Sequence, residues 1–199
     1  LVFFAATHDV TAIAAEPPNR PPTQSSPPSQ SIYKKPALPF VGVPSSRIGG
    51  ASRGDANDLL VAVFAPDHIG LTSRDQPKLY WYLSKPVMTR IDITLTDDAS
   101  AQPLLETTVE ASSEGGIQSI DLSRYGVRLR PGVPYNWSVA VVNNPDQRSM
   151  DIVASGLILF RELPPDVQNR LAQASDREKS AVYGHAGYWY DMVQALEEL

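Results

Sequence analysis

The sequence predicts a mainly β protein: an immunoglobulin- or fibronectin-like antiparallel β-sandwich of about seven strands, followed by a C-terminal α-helical hairpin. Between residues 59 and 160, short apolar or alternating runs are separated by turn residues at intervals of about 8–12 residues. Residues 129–135 have a sequence pattern typical of the strand crossings in such sandwiches. After residue 160, apolar residues recur at the three- and four-residue spacing of helices.

Seven runs supply the predicted strands. The clearest covers residues 90–96, in which three branched apolar residues alternate with polar ones, so one face is apolar and the other faces water. We expect the fourth and fifth runs to pair across the turn at residues 114–116, and the last two to pair across residues 143–146. The predicted strands are residues 59–64, 78–83, 90–96, 104–110, 117–122, 135–142 and 153–160.

Residues 129–135 contain a Leu, then Pro131-Gly132, then Tyr135 at the start of a strand, and this pattern resembles a tyrosine corner. In that arrangement the Tyr hydroxyl hydrogen-bonds a backbone group a few residues upstream and holds the crossing between the sheets. Trp137 lies two residues further along the same strand. Since side chains two apart share a face, we expect both aromatic rings in the core.

The helical part begins with a short helix that Pro164-Pro165-Asp166 opens and that continues to about residue 174. Ser175 and Glu178 have the spacing of a capping box that starts a second helix. Gly187 predicts a break that makes this segment a two-helix hairpin. Beyond the break, an apolar stripe at helical spacing is expected to pack on the sandwich, with a partner interface as the alternative. The stripe consists of Trp189, Met192, Val193, Leu196 and Leu199.

The N-terminal part differs in composition from the rest of the chain. Nine of the 18 prolines precede residue 45, and such a segment buries too little apolar surface to offset its ordering entropy. The apolar start and a small-x-small pattern at residues 12–14 predict a signal peptide whose basic start is missing, with a disordered N-terminus as the alternative. The predicted domains are residues 1–15 (partial signal peptide), 16–46 (Pro/Ser-rich disordered linker), 47–160 (β-sandwich) and 161–199 (helical extension).

Composition excludes several classes of function. The chain has no Cys, which excludes disulfides, thiolate metal sites and a lipoprotein anchor. A net charge of -5 argues against nucleic-acid binding, and no apolar run approaches the length of a membrane span. His8, His68 and His185 lack metal-ligand spacing, and no nucleophile elbow or phosphate loop occurs. We therefore predict no enzyme activity, no cofactor and no metal.

Aromatic side chains and one loop arginine are the candidate binding residues. Tyr80 and Tyr82 share one face of their predicted strand and Trp81 faces the other, so one face could expose rings, unless the strand is buried on both sides. Trp189 lies in an aromatic cluster of the helical tail. Arg148 lies in a loop at one end of the predicted sandwich, where a structural role is preferred over binding.

An ordered set of motifs resembles the domain-of-unknown-function family 928, found largely in cyanobacteria and some proteobacteria. The resemblance covers about residues 48–199 and implies an exported bacterial protein with no assigned activity and no assigned site residues. The motifs that carry it are Gly49-Gly50 with Arg53, the strand that ends at Pro66, Gly70-Leu71-Thr72, Tyr80-Trp81-Tyr82-Leu83, residues 129–137, Gln147-Arg148-Ser149, Ser155-Gly156 and Trp189-Tyr190-Asp191.

The resulting functional hypothesis is a non-enzymatic protein-interaction module of the cell envelope, periplasmic or secreted, with a protein partner of unknown identity. The alternative is a carbohydrate-binding module that stacks sugars on exposed aromatic rings. A hydrolase with dispersed carboxylates is the least favoured possibility, because no catalytic motif supports it.

Overall fold

The computed structural model describes residues 32–38, 46–49, 59–97, 99–100, 102–110 and 113–199. All of them belong to one compact unit, Ser31–Leu199. The predicted signal peptide and most of the predicted linker lie outside the described residues. No helix in the part of the chain that the structure describes is long and apolar enough to cross a membrane.

The described residues form strands and helices in the predicted order. The strands are β1 (Ile48–Gly49), β2 (Val61–Val63), β3 (Gly70–Thr72), β4 (Lys78–Leu83), β5 (Ile91–Asp97), β6 (Leu105–Val109), β7 (Gly116–Asp121), β8 (Pro134–Val141) and β9 (Ile152–Phe160). The helices are α1 (Pro165–Gln173), α2 (Asp176–Ala186) and α3 (Trp189–Glu197), and short 3₁₀ turns occur at Leu122–Tyr125 and Arg148–Met150.

The strands form two sheets, which confirms a mainly β fold. One sheet has the order β1-β2-β4-β7 and the other has the order β3-β9-β8-β5-β6. All seven predicted strands are present, and β1 and β3 are additional. The pairing of β3 with β9 is parallel, so the sheets are not entirely antiparallel as predicted. The immunoglobulin-like topology remains a prediction.

The hairpin predicted between the fourth and fifth runs is wrong, because these two strands belong to different sheets. β6 pairs with β5, which places Leu105 opposite Leu95, and β7 pairs with β4. The last two strands, β8 and β9, do pair as predicted. A glycine turn permits a hairpin but does not require one. The sheet that each strand joins is determined by its apolar residues, because their side chains must be buried in the core.

The core lies between the sheets, where one hydrophobic cluster takes side chains from both, including Trp81 of β4 and Trp137 of β8. Gly156 of β9 lets the layers approach closely. A Cβ at this position would lie 2.4 Å from the Ala65 Cβ and 2.9 Å from the Trp137 Nε1. Tyr135 and Trp137 are fully buried, as predicted. The Tyr135 hydroxyl accepts a hydrogen bond from the Arg130 backbone N–H at 3.2 Å, which is the bond of a tyrosine corner.

The helical part has the predicted caps. The Glu178 carboxylate accepts from both the backbone N–H and the hydroxyl of Ser175, at 2.9 and 2.7 Å. Helix α2 ends at Ala186 and is capped by Gly187, whose φ of 84° lies in the left-handed region that favours glycine. The predicted stripe on α3 is buried only in part. Met192 is buried, whereas 47% of Leu196 and 63% of Leu199 are exposed.

Polar and aromatic side chains hold α3 against the strands. They explain why the predicted apolar stripe is only partly buried. The Tyr190 hydroxyl accepts from the Trp137 Nε1 at 2.9 Å and donates to the Leu157 carbonyl at 3.0 Å. The Asp191 carboxylate accepts from the N–H and the hydroxyl of Ser73. These bonds turn the Tyr190 side of the helix inward. Hydrophobic spacing alone does not show that a buried carboxylate has a partner.

Residues 32–38, called here the N-terminal segment, pack against the helices although they fall within the predicted linker. The Lys34 N–H donates to the Gly184 carbonyl at 2.9 Å. The Tyr33 ring makes an edge contact with Trp189, with centroids 4.8 Å apart. Leu38 packs on a second hydrophobic cluster formed by Ile69, Leu71, Leu159 and Tyr188. Part of the proline-rich region is therefore attached to the folded domain.

Candidate functional site

The outer face of the four-stranded sheet carries an exposed apolar surface. Alternation along β4 turns Trp81 into the core, where 2% of it is exposed, and leaves Tyr82 38% exposed on the other face. The strand register places Ala62 of β2 and Ile117 of β7 on either side of Tyr82. We call these three residues the apolar row. It ends at β7, where 61% of Ile117 is exposed.

Beside the row, the sheet and α3 enclose an apolar groove of about 210 Å³. Tyr80 lies at its base, 2% exposed, and its hydroxyl donates to the Glu197 Oε2 at 3.0 Å. Burial and this carboxylate raise the pKa of the Tyr80 hydroxyl above its ordinary value, so the phenol stays neutral. The groove is lined by Phe64, Tyr80, Ile117, Val193, Leu196 and Glu197.

Trp189 fastens α3 to the strands. Its indole N–H donates to the Phe64 carbonyl at 2.9 Å, and its ring contacts Tyr33. Its ring and its polar atom both have partners within the protein, and the residue is only partly exposed. Through Phe64 it also holds one wall of the groove in place.

Arg148 lies in a cluster on the other sheet. Its guanidinium pairs with Asp92 of β5 at 2.8 Å and with Asp151 at 2.7 Å. Burial raises the pKa of Asp92, but hydrogen bonds from Thr108 and Arg148 outweigh burial and hold that pKa below its ordinary value. Arg148 therefore ties the 3₁₀ turn Arg148–Met150 to β5, and it is not one of the residues that line the apolar groove.

The structure thus brings Tyr80 and Tyr82 together, attaches Trp189 to the same surface through Phe64, and leaves Arg148 elsewhere. Sequence reasoning missed Phe64 and Ile117. The sequence contains a pattern that could have identified Ile117 as exposed. It lies at the start of a predicted strand, and the next apolar residue, Ile120, is three positions further on and therefore faces the opposite side. Val193 and Leu196 were noted only as members of the helical stripe.

A hydrogen-bonded chain of three side chains lies where the N-terminal segment meets the strands. The His68 Nδ1 lies 2.7 Å from the Asp67 Oδ1, and its Nε2 lies 2.8 Å from the Tyr33 hydroxyl. Burial and the nearby Asp67 carboxylate raise the pKa of the Tyr33 hydroxyl, which disfavours a reactive phenolate at neutral pH. The chain therefore acts as a fastening for the N-terminal segment. Among the described residues, no group of three potential ligands could hold a metal ion.

Comparison with known proteins returned one family. The family model "Domain of Unknown Function (DUF928)" matches residues 48–199, which confirms the resemblance predicted from the ordered motifs. Neither the curated proteins nor the solved structures gave a match. The matched residues include the apolar row and the groove, and they begin after the N-terminal segment.

Proposed function

Given that the chain belongs to the DUF928 family, whose description states no activity, we propose that it is a non-enzymatic protein-interaction module. In this proposal, a partner protein adds an extended apolar segment to the free edge of β7 and sets its side chains against the apolar row. The module acts in the cell envelope, as a periplasmic or secreted protein. The residues that suggest export, 1–15, lie outside those that the structure describes.

The observation that supports the proposal most directly is the position of Ile117. Among the described strands, β7 is the last one in its sheet, and β4 pairs with one of its two sides. The unpaired side presents backbone N–H and C=O groups that an extended peptide can use, which is the basis of β-strand addition. Ile117 is 61% exposed on this strand. A strand added here would continue the row through Ala62, Tyr82 and Ile117.

The surface also specifies the chemistry of the added segment. A side chain opposite Ile117 would meet an apolar neighbour, and such cross-strand pairs contribute roughly 0.2–1 kcal/mol each. The groove offers apolar walls from Val193 and Leu196, with Glu197 already bonded to Tyr80. The expected ligand is therefore an extended segment with apolar residues at every second position on the face toward Tyr82.

The carbohydrate-binding alternative has weaker support. Sugar stacking needs an open aromatic face, together with free polar groups that orient the hydroxyls. Tyr80 is buried and its hydroxyl is bonded to Glu197. Trp81 faces the core, so Tyr82 is the one ring on this strand with an exposed surface.

Site-specific photocrosslinking in the full-length protein tests the proposal. A photoreactive residue at Ile117 should trap a discrete partner. The same residue at Val153, an exposed valine of β9 that is 43% accessible, is the matched control and should trap none. The crosslinked peptide, identified by mass spectrometry and then synthesised, should be an extended segment with alternating apolar residues.

Binding of that synthetic peptide provides the quantitative readout. Ile117→Lys should weaken the affinity at least about tenfold, because it removes an apolar contact and buries a charge, whereas Val153→Lys should leave it unchanged. Equal crosslinking from both positions, or full affinity of Ile117→Lys, would contradict the proposal. Binding of an oligosaccharide on a glycan array that Tyr82→Ala abolishes would favour the carbohydrate-binding alternative instead.

A further inference from the structure

A second concave surface has a different chemical character. A pocket of about 390 Å³ lies between the N-terminal segment, the end of β9 and the C-terminal end of α2. Its basic residues come from three separate parts of the chain: Lys34 and Lys35 from the N-terminal segment, Arg161 from the residue after β9, and His185 from α2. Leu71 and Tyr188 contribute apolar wall.

Among the described residues, three basic side chains of this pocket lack the carboxylate partners that six of the ten described arginines have. Arg130 pairs with Asp97 and Arg148 pairs with Asp92, for example. Within the part of the chain that the structure describes, Lys34, Lys35 and Arg161 form no ion pair. None of the residues that line the pocket is acidic. In a chain with a net charge of -5, this arrangement concentrates positive charge in one cavity.

Two acidic residues near the pocket have partners outside it. Asp67 is close enough for Lys35 to affect its pKa, but its carboxylate is bonded to His68 at 2.7 Å. Asp166 of α1 pairs with Arg170 at 3.5 Å. Neither of these two carboxylates forms an ion pair with a basic side chain of the pocket. An anion that entered the pocket would supply the missing partner.

The backbone positions of the basic residues are fixed, which limits the entropy lost when a ligand binds. The Arg161 N–H donates to the Thr72 carbonyl at 2.9 Å, and the Lys34 N–H donates to the Gly184 carbonyl at 2.9 Å. Gly187 makes room for the segment, because a Cβ there would lie 3.1 Å from the Lys34 carbonyl oxygen. The N-terminal segment and the body of the domain thus build the pocket together.

We propose that this pocket binds a phosphate-bearing ligand. A phosphate monoester carries a charge of about -1.5 to -2 at neutral pH and three strong acceptor oxygens, which matches the convergence of several cations better than a single carboxylate does. Arg161 can bond two of those oxygens at once, and the lysines act as point charges. The volume fits a phosphorylated small molecule or a phospholipid headgroup, with Leu71 and Tyr188 against its apolar part.

The pocket shares no residue with the apolar groove or the β7 edge. The proposal of phosphate binding is therefore independent of the proposed interaction function. Lys34 and Lys35 precede residues 48–199, the part of the chain that the family model matches. Phosphate binding is therefore expected to depend on the N-terminal segment as well as on the family domain.

The test measures binding of two probes to the full-length protein. Calorimetry with inorganic pyrophosphate reports a soluble phosphate ligand. Co-sedimentation with phosphatidylcholine vesicles, with and without phosphatidic acid, whose headgroup is a phosphate monoester, reports a lipid headgroup. Arg161→Gln and the double variant Lys34→Gln/Lys35→Gln should each weaken binding of the responding probe at least about tenfold, since each removes a charge-assisted contact.

Arg124→Gln is the matched control for Arg161→Gln. Arg124 is an exposed arginine of the Leu122–Tyr125 turn, and its loss changes the net charge by the same amount. Loss of binding in Arg161→Gln but not in Arg124→Gln supports the site, and the probe that responds identifies the phosphate source. Equal loss in both variants would show a nonspecific charge effect and overturn the proposal. Absence of binding by both probes to the wild-type protein would overturn it as well.

Discussion

At the residue scale, Asp191 is a carboxylic acid held almost completely inside the protein, with 2% of its surface exposed. Burial disfavours the charged form and raises its pKa above the ordinary value, although the Ser73 N–H and hydroxyl donate to it and oppose that effect. Arg74 lies 3.7 Å away and also favours the charged form. The residue therefore links the attachment of α3 to pH.

The sign of that linkage is a testable prediction. A carboxyl with a raised pKa in the folded state binds more protons when folded than when unfolded, so its contribution to stability is present at acid pH and lost as pH rises through the folded pKa. The free energy of unfolding of the wild type, minus that of Asp191→Asn, should fall as the pH rises above about 4, the ordinary pKa of an aspartate. Urea denaturation at several pH values measures this difference, and a flat or rising difference would contradict the assignment.

At the element scale, α2 and the N-terminal segment meet through a glycine with no room for a side chain. A Cβ at Gly184 would lie 2.2 Å from the Ile32 carbonyl oxygen and 2.9 Å from the Met192 Sδ. An alanine at a helical position is by itself favourable, by about 1 kcal/mol relative to glycine. The close contact outweighs this preference because one of the groups that must move is backbone.

Gly184→Ala should therefore release the N-terminal segment while the helix remains folded. We expect tryptic cleavage after Lys34, followed by mass spectrometry, to accelerate about tenfold, since proteolysis follows the population of the open form. Gly126→Ala is the control. It introduces strain at a φ of 66° but meets no atom within 4 Å, so cleavage after Lys34 should stay close to the wild-type rate. Unchanged cleavage in Gly184→Ala would show that the segment is not held at this contact.

At the scale of the whole molecule, one hydrogen-bonded pair joins the helices to the core between the sheets. The Tyr190 hydroxyl lies between the Trp137 indole and the Leu157 carbonyl. Both Tyr190 and Trp137 belong to the main hydrophobic cluster. Because the helix supplies part of the core, we expect the helices and the sheets to unfold in one transition.

Tyr190→Phe tests this coupling. Loss of the hydroxyl leaves the Trp137 N–H without its acceptor and should lower the free energy of unfolding by about 2 kcal/mol. Tyr125→Phe, at a tyrosine that is 42% exposed, should have almost no effect. Within each variant, far-ultraviolet circular dichroism and tryptophan fluorescence should give the same urea midpoint as each other. Separate midpoints for the two probes would show that the helical part unfolds independently.

Features that depend on neighbours in the chain follow from the sequence. The alternation in residues 90–96 predicts β5 because successive side chains of a strand face opposite sides. The hydrogen bond of Tyr135 to the Arg130 N–H spans five residues, and the capping box of Ser175 and Glu178 spans three. Composition likewise predicts that the proline-rich start can bury little apolar surface.

The tertiary structure decided what depends on residues far apart in the chain. Tyr80 and Tyr82 have the same position in the alternation, yet α3 covers one and leaves the other exposed. The pairing of β6 with β5 and of β7 with β4 follows from which apolar residues reach the core. The basic pocket joins Lys34, Arg161 and His185, which no spacing in the sequence relates. Local periodicity determines strands and caps, whereas burial and charge clustering arise only when distant segments share the same volume.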